Sequence, residues 1–327
     1  MRITEKMMSG TYTRNLQRNI SNLSSSNLKL TSQRQYNHVS EDPARAARAF
    51  AIRDQIARSE EHINTVKNAV GELETADSNI TTMNSILNLV YEKATRAGGA
   101  MDQPSMDAIA EQLGGLKKEL LETMNAKYGD KFLFSGSGNS DAPFSLDADG
   151  KLLFNGKPVD AYDEADPDTY FPENKEIYLD IGFGAFATGF NTSRAGIKIS
   201  TSGVDVTGCG KDDEGFPNNL YSLIDQIETQ LRDGDRNGAL DTLGVLKAKQ
   251  SNLSVATSEI GTRENLLERT QDRLETSLVS LQKSQKNLEA INVEEEAVNN
   301  KSYETAWMVT LQLGSNIIPP SIFDFMR

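Results

Sequence analysis

Cysteine is almost missing from this chain: Cys209 stands alone among 327 residues, so no intramolecular disulfide can form. It sits in Thr207-Gly208-Cys209-Gly210 with no histidine nearby to activate it, which reads as an incidental thiol rather than a nucleophile. Histidine is nearly as scarce. His38 and His62 are far apart and outside any His-Glu-x-x-His arrangement, which argues against a zinc hydrolase and leaves no metal or other cofactor to expect. An excess of positive charge is missing too. A net charge of −13 argues against nucleic acid as a partner, because that needs basic patches that displace counterions. No stretch of about 18 apolar residues occurs, so no membrane-spanning helix is expected. Residues 1–10 lack the apolar run of a secretory signal. The expectation is a chain that stays in the cytoplasm or leaves it by a route that reads no cleavable signal.

Proline is absent from 44–103 and from 218–318, and those gaps are where long helices are permitted. The second gap holds Leu246, Leu253, Ile260, Leu267, Leu274, Leu281 and Leu288, every seventh residue without a miss. A step of seven returns to nearly the same face of a helix, so this column marks a coiled-coil seam ~63 Å long. The second column is much weaker: Lys249, Ala256, Arg263, Thr270, Ser277, Ser284 and Ile291 on one side, with Gln250, Thr257, Glu264, Gln271, Leu278, Gln285 and Asn292 on the other, mostly polar. Such a helix suits being wrapped by several neighbours, within the chain or from other molecules.

The first arm has its own heptads, Leu16, Ile20, Leu23 and Leu30, interrupted by Asn27. A break follows over 31–38. Asp42-Pro43 then opens a helix, aspartate as cap and proline at the first helical position. Ile56, Ile63 and Val70 form one column there, and Val66, Leu73, Ile80 and Leu87 the other. Gly98-Gly99 ends this helix, and Ile109, Leu113, Leu116 and Leu120 lie on another that begins near Pro104.

The middle is different. Residues 129–215 hold 13 of the 24 glycines and 132–216 hold 9 of the 12 phenylalanines, which predicts short strands and turns inserted between helical arms. Asp149-Gly150 and Asn155-Gly156 favour tight turns, and 177–181 and 197–199 are strand candidates. Three echoes of chemistry are weak. Asp147-Ala148-Asp149-Gly150 lacks the remaining ligands of a calcium loop and reads as a turn. The acidic run 163–168 reads as a solvated loop, and Gly182-Phe183-Gly184 lacks the helix of a dinucleotide site. No catalytic constellation emerges, and the chain reads as structural rather than enzymatic.

The two ends differ in charge. Residues 1–40 carry six Lys/Arg against Glu5, a net +5, and residues 289–327 carry two against six Asp/Glu, a net −4. Opposite fields on two seam-bearing helices favour their pairing, although single exposed ion pairs contribute little. Tyr303, Trp307, Met308, Leu311, Leu313, Ile317, Ile318, Ile322, Phe323 and Phe325 crowd the last 25 residues. Such an apolar end either tucks into its own core or is held for a partner, and the partner reading is favoured here.

The expected fold is mainly α with a small β insertion: long coiled-coil helices from both ends forming a rod, plus a small outward β domain. Three domains are expected: a terminal coiled coil of 1–40 and 285–327, a helical rod of 41–136 and 215–284, and a β-rich insertion of 137–214. The residues expected at an assembly seam are Leu16, Ile20, Leu23, Leu30, Leu274, Leu281, Leu288, Ile291, Trp307, Leu311 and Ile318.

A family likeness rests on several segments together. Met1-Arg2-Ile3 with Met7-Met8, Ser40-Glu41-Asp42-Pro43-Ala44, Tyr128-Gly129-Asp130-Lys131-Phe132-Leu133-Phe134-Ser135-Gly136 with Ala142-Pro143-Phe144, and Ser315-Asn316-Ile317-Ile318 through Ser321-Ile322-Phe323-Asp324-Phe325 resemble the flagellin superfamily. Within it they look more like the hook-associated proteins than the filament flagellins. Pro319-Pro320 departs from the pattern, interrupting what the family usually continues as helix. The resemblance implies an extracellular junction between flagellar hook and filament. It implies a ring of about eleven subunits on hook-associated protein 1, presenting a face to flagellin or the filament cap during assembly. It also implies export through the flagellar type III apparatus without a cleaved signal, and a cytoplasmic export chaperone. A filament subunit, a type III secretion tip or translocator rod, and an enzyme carried on the insertion are the alternatives, in that order.

Overall fold

The computed structural model describes residues 5–99, 101–136, 141–162, 177–179 and 197–317. Seven helices follow in chain order among them: α1 Glu5–Ser32, α2 Pro43–Ala97, α3 Gln103–Met124, α4 Gly203–Thr207, α5 Leu220–Arg232, α6 Arg236–Glu289 and α7 Val293–Ile317. Short strands lie between α3 and α4. The fold is mainly α with small antiparallel β elements, as the proline gaps and the glycine-rich middle predict.

Helix ends follow their local chemistry. Asp42 Oδ1 accepts the Arg45 amide at 2.9 Å, and Pro43 starts α2, so the predicted cap forms as drawn from the sequence. The helix stops at Ala97, just before Gly98-Gly99. Asn219 caps α5 by accepting the Tyr221 amide at 2.9 Å, while its own amide donates to the Gly208 carbonyl at 2.7 Å. Within the long proline-free stretch the chain breaks twice. Gly234, at φ 80°, separates α5 from α6, and 290–292 separate α6 from α7.

The chain divides into two compact units, Glu61–Leu274 and Met1–Glu60 with Glu275–Arg327. In the first, the leucine column is the core: Leu246, Leu253, Ile260, Leu267 and Leu274 are all buried. Val66, Leu73, Ile80 and Leu87 of α2 are buried as well, and Gln250 of α6 donates to Asn88 of α2 at 2.9 Å. Helix α3 buries Met106, Ile109, Leu113 and Leu120, and α5 buries Leu223, Ile224 and Ile227. Lys117 ties α3 to α5 through Asp225 at 2.5 Å and Glu228 at 2.7 Å.

The described strands of this unit form three small sheets. β1 (Lys127–Tyr128) pairs with β2 (Lys131–Phe132), and β6 (Tyr178–Leu179) pairs with β7 (Ile197–Lys198), both antiparallel. β3 (Phe144–Leu146), β4 (Leu152–Phe154) and β5 (Lys157–Pro158) run in that order, with Phe144 opposite Phe154. Asp147-Ala148-Asp149-Gly150 is the turn between β3 and β4, with Asp147 Oδ1 accepting the Ala148 amide. Asn155 and Gly156, at φ 50° and 79°, make the tight turn between β4 and β5. The acidic run 163–168, Gly182-Phe183-Gly184, Met1-Arg2-Ile3 and everything from Ile318 onward, Pro319-Pro320 included, lie outside the described residues.

Candidate assembly interface

The second unit brings the two arms together. α1 and α7 run antiparallel, and the register can be read from their side-chain bonds. Asn19 Nδ2 donates to Thr310 Oγ1 at 2.8 Å, Asn300 Nδ2 donates to Asn27 Oδ1 at 2.8 Å, and Ser26 Oγ donates to Glu296 Oε1 at 2.7 Å. Near one end of the pair, buried Gly314 leaves room for the Tyr12 ring, which a side chain at 314 would strike. These contacts are amide and hydroxyl bonds, not a ladder of ion pairs. Asn27, the interruption in the α1 heptads, is therefore the partner that Asn300 requires.

The ends of α1 and α6 meet at a joint. Gln33 turns the chain out of α1 at φ 54°, the Gln35 amide donates to the Glu289 carbonyl at 2.7 Å, and the Ile291 amide donates to the Gln33 carbonyl at 3.3 Å. Beside it Arg53 pairs with Glu289 at 2.8 Å while lying 5.6 Å from the centre of the Phe50 ring. The hydrogen bond to Glu289 is the main influence on the Arg53 guanidinium and raises its pKa. A polar cleft of about 410 Å³ adjoins the joint, lined by Ser26, Lys29, Glu295, Glu296 and Tyr303 among others.

The residues expected at a seam divide among several places. Leu16, Leu23 and Leu30 are half-buried on α1, whereas Ile20 is exposed. Trp307 is half-buried on α7, and its indole N–H is buried without an acceptor among the described residues. Leu311 is exposed on the same helix. Leu281 and Leu288 near the end of α6, and Ile291 at the joint, are half-buried. Leu274 belongs to the other unit and is part of its core. Ile318 lies outside the described residues.

Sequence reasoning missed much of the exposed apolar surface. Val298 at 67% exposure and Val309 at 48% share one face of α7 with Ser302 and Thr305, a spacing of four, three and four. Met7 and Met8 on α1 and Leu313 on α7 line an apolar groove of about 460 Å³ with Thr11, Tyr12 and Thr310. The spacing of the α7 stripe was a usable signal. The groove had none, because it exists only once the two helices are in register. Large apolar groups left in water on paired helices are a surface ready for a further contact.

Groups suited to chemistry are scattered. His38 is exposed and His62 half-buried on α2. Burial first, and the field of Asp205 second, push the Cys209 thiol up to about 11, so it stays a protonated, unreactive thiol at neutral pH. No cluster of three His, Cys, Asp or Glu that could hold a metal occurs among the described residues. No described helix is long and apolar enough to cross a membrane.

Comparison with known proteins agrees with this geometry. Residues 3–139 match the family model for the bacterial flagellin N-terminal helical region. A flagellar hook-associated protein from Vibrio parahaemolyticus superimposes at a TM-score of 0.59 with 13% identity, over 76% of this chain and 100% of that one. Flagellar hook-associated protein 3 from Legionella pneumophila gives 0.57 with 12% identity, over 73% of this chain and 98% of that one. FlgL from Bacillus cereus gives 0.53 with 15% identity, over 72% and 99%. No curated protein sequence matches the chain. Residues 3–139 thus resemble the flagellin N-terminal helical region, and the chain has the fold of the hook-associated proteins, FlgL among them.

Proposed function

We propose that this chain is a non-enzymatic structural subunit of the bacterial flagellum, of the hook-associated type that joins hook to filament. The observation that carries the reading is the antiparallel α1–α7 pair, which leaves Ile20, Val298, Val309 and Leu311 exposed on a hook-associated fold. Each such aliphatic group buried between subunits is worth about 1.5–3 kcal/mol, and a ring repeats the gain at every contact. In this reading about eleven copies sit on hook-associated protein 1 and offer a flagellin-like face to the first filament subunits, as closed rings of identical contacts allow. Export runs unfolded through the flagellar type III apparatus, with a cytoplasmic chaperone shielding the apolar segment around 303–326. The insertion 137–214 is an outward domain that the ring contacts do not need.

Deletion of the gene tests the reading. The expected result is hooks without filaments, with flagellin lost to the medium, and recovery on supplying the gene in trans. Filaments of normal length in the deletion strain would overturn it. Recovery of the chain from purified filaments in thousands of copies, rather than about one ring, would make it a filament subunit instead.

A further inference from the structure

A cleft of about 380 Å³ opens between α6 and the segment that runs from β7 into α4, within the Glu61–Leu274 unit. Its volume lies near the lower end of the range that holds small molecules. One wall is formed by Lys198, Thr201 and Asp205. The other is a single face of α6, where Asn252, Val255, Glu259 and Arg263 follow at spacings of three and four. The first wall is fixed by bonds to the rest of the unit: Ser200 Oγ accepts the Ile177 amide at 2.9 Å, and the Gly203 amide donates to the Phe134 carbonyl at 2.9 Å. A wall held in this way loses little freedom when a ligand enters.

The polar groups here have capacity that the chain does not use. Thr201 is 8% exposed, and its hydroxyl oxygen has no hydrogen-bond partner among the described residues, a cost that a partner in the cleft would remove. The Arg263 side chain is only 18% exposed and carries five N–H donors, yet its one acceptor among the described residues is Glu259, at 2.8 Å. Asn252, exposed on the same face, offers an amide that both donates and accepts. Charge then narrows the kind of molecule that fits. Lys198 and Arg263 balance Asp205 and Glu259, so the lining favours neither an anion nor a cation. Val255, 59% exposed, adds apolar surface beside the polar groups. A neutral sugar ring matches such a lining. Its adjacent hydroxyls pair with a planar guanidinium and an amide, while its C–H face packs on an aliphatic side chain.

We propose that this cleft binds a neutral hexose, through hydrogen bonds with Thr201, Asn252 and Arg263 and apolar contact with Val255. The site belongs to the Glu61–Leu274 unit and not to the α1–α7 pair, so this inference and the assembly role stand or fall separately.

Saturation-transfer NMR on the full-length protein tests this, with D-glucose, D-galactose and D-mannose as probes and inorganic phosphate as the charged competitor. At least one hexose is expected to bind saturably and to resist displacement by an equal concentration of phosphate. Asn252→Ala and Arg263→Lys should each weaken that binding about tenfold, the loss of one or two hydrogen bonds. Neither change should unfold the chain, because Asn252 is exposed and a lysine keeps the charge beside Glu259. Thr201→Val preserves the shape of the side chain and removes a hydroxyl without a partner, so it should weaken binding while leaving the melting temperature no lower than the parent's. Absence of saturable binding for all three hexoses overturns the proposal. Binding that the three variants leave unchanged overturns it as well, since the sugar then sits elsewhere. Displacement of the hexose by phosphate makes the cleft an anion site instead.

Discussion

Lys117 shows how a single residue can hold two helices in place without leaving a trace in local sequence. Its ammonium reaches Asp225 at 2.5 Å and Glu228 at 2.7 Å, with its side chain 14% exposed and the Tyr221 ring 5.7 Å away. Burial is the largest single influence and disfavours the charge, but the hydrogen bonds and fields of the two carboxylates outweigh it and raise the pKa above 10.5. The folded value therefore lies above the unfolded one. The stabilisation is complete below pH 10.5 and is lost as pH rises through the folded value. Lys117→Ala should cost about 1–3 kcal/mol at pH 7, less than the about 3–5 kcal/mol of a fully buried broken pair because Asp225 stays 46% exposed. Urea unfolding of both proteins at pH 7 and pH 11 checks this, and the gap between them should narrow at the higher pH. Gly114 belongs to the same site, since a β-carbon there would come within 3.2 Å of Glu228 Oε1. Neither residue could be singled out from sequence, because their partners stand more than a hundred positions away and no periodicity links them.

At the scale of the element, periodicity identified the buried face but not what covers it. Leu267 and Leu281 occupy equivalent places in one unbroken column on α6, yet Leu267 is fully buried and Leu281 half-buried. A spacing of seven is blind to that difference, which depends on which neighbouring helices reach each turn. Leu267→Ala should lower stability by about 2–5 kcal/mol and Leu281→Ala by less than half as much. Denaturant midpoints measure both, with an unchanged slope showing that the unfolded state is unaffected. Capping and breaking signals were legible because they act within a few residues: Asp42-Pro43, Gly98-Gly99 and Asn155-Gly156 all do in the structure what their chemistry dictates. The break at Gly234 and the joint at 290–292 were not. A lone glycine is tolerated inside many helices, and the joint is fixed by backbone bonds to residues 33–35, far away in sequence.

For the molecule as a whole, the charge split between its ends, +5 over 1–40 and −4 over 289–327, pointed to helices that pair, and among the described residues the pair is registered by hydrogen bonds rather than by ion pairs. Fields of opposite sign bring two segments together over distance, while Asn19–Thr310 and Asn27–Asn300 fix the register, and the register decides which apolar groups remain outside. That is why Leu311 was visible in the sequence as an assembly candidate and the Met7–Met8 groove was not: composition marks apolar residues, and only the partner helix determines their exposure. Leu311 is 45% exposed, so Leu311→Ser removes little that is buried in the single chain. The melting temperature of the purified protein should move by no more than about 2 °C, the scale of a surface substitution of ±0.5 kcal/mol in a chain this long. Assembly should respond very differently. If Leu311 is buried between copies, its loss recurs at every contact of a ring, and the variant should fail to restore motility to a deletion strain while still being exported. Thermal melting, secreted protein and motility are to be measured on the same variant. A large drop in melting temperature would place Leu311 in the core of the free chain, and full motility with a normal melt would remove it from the interface.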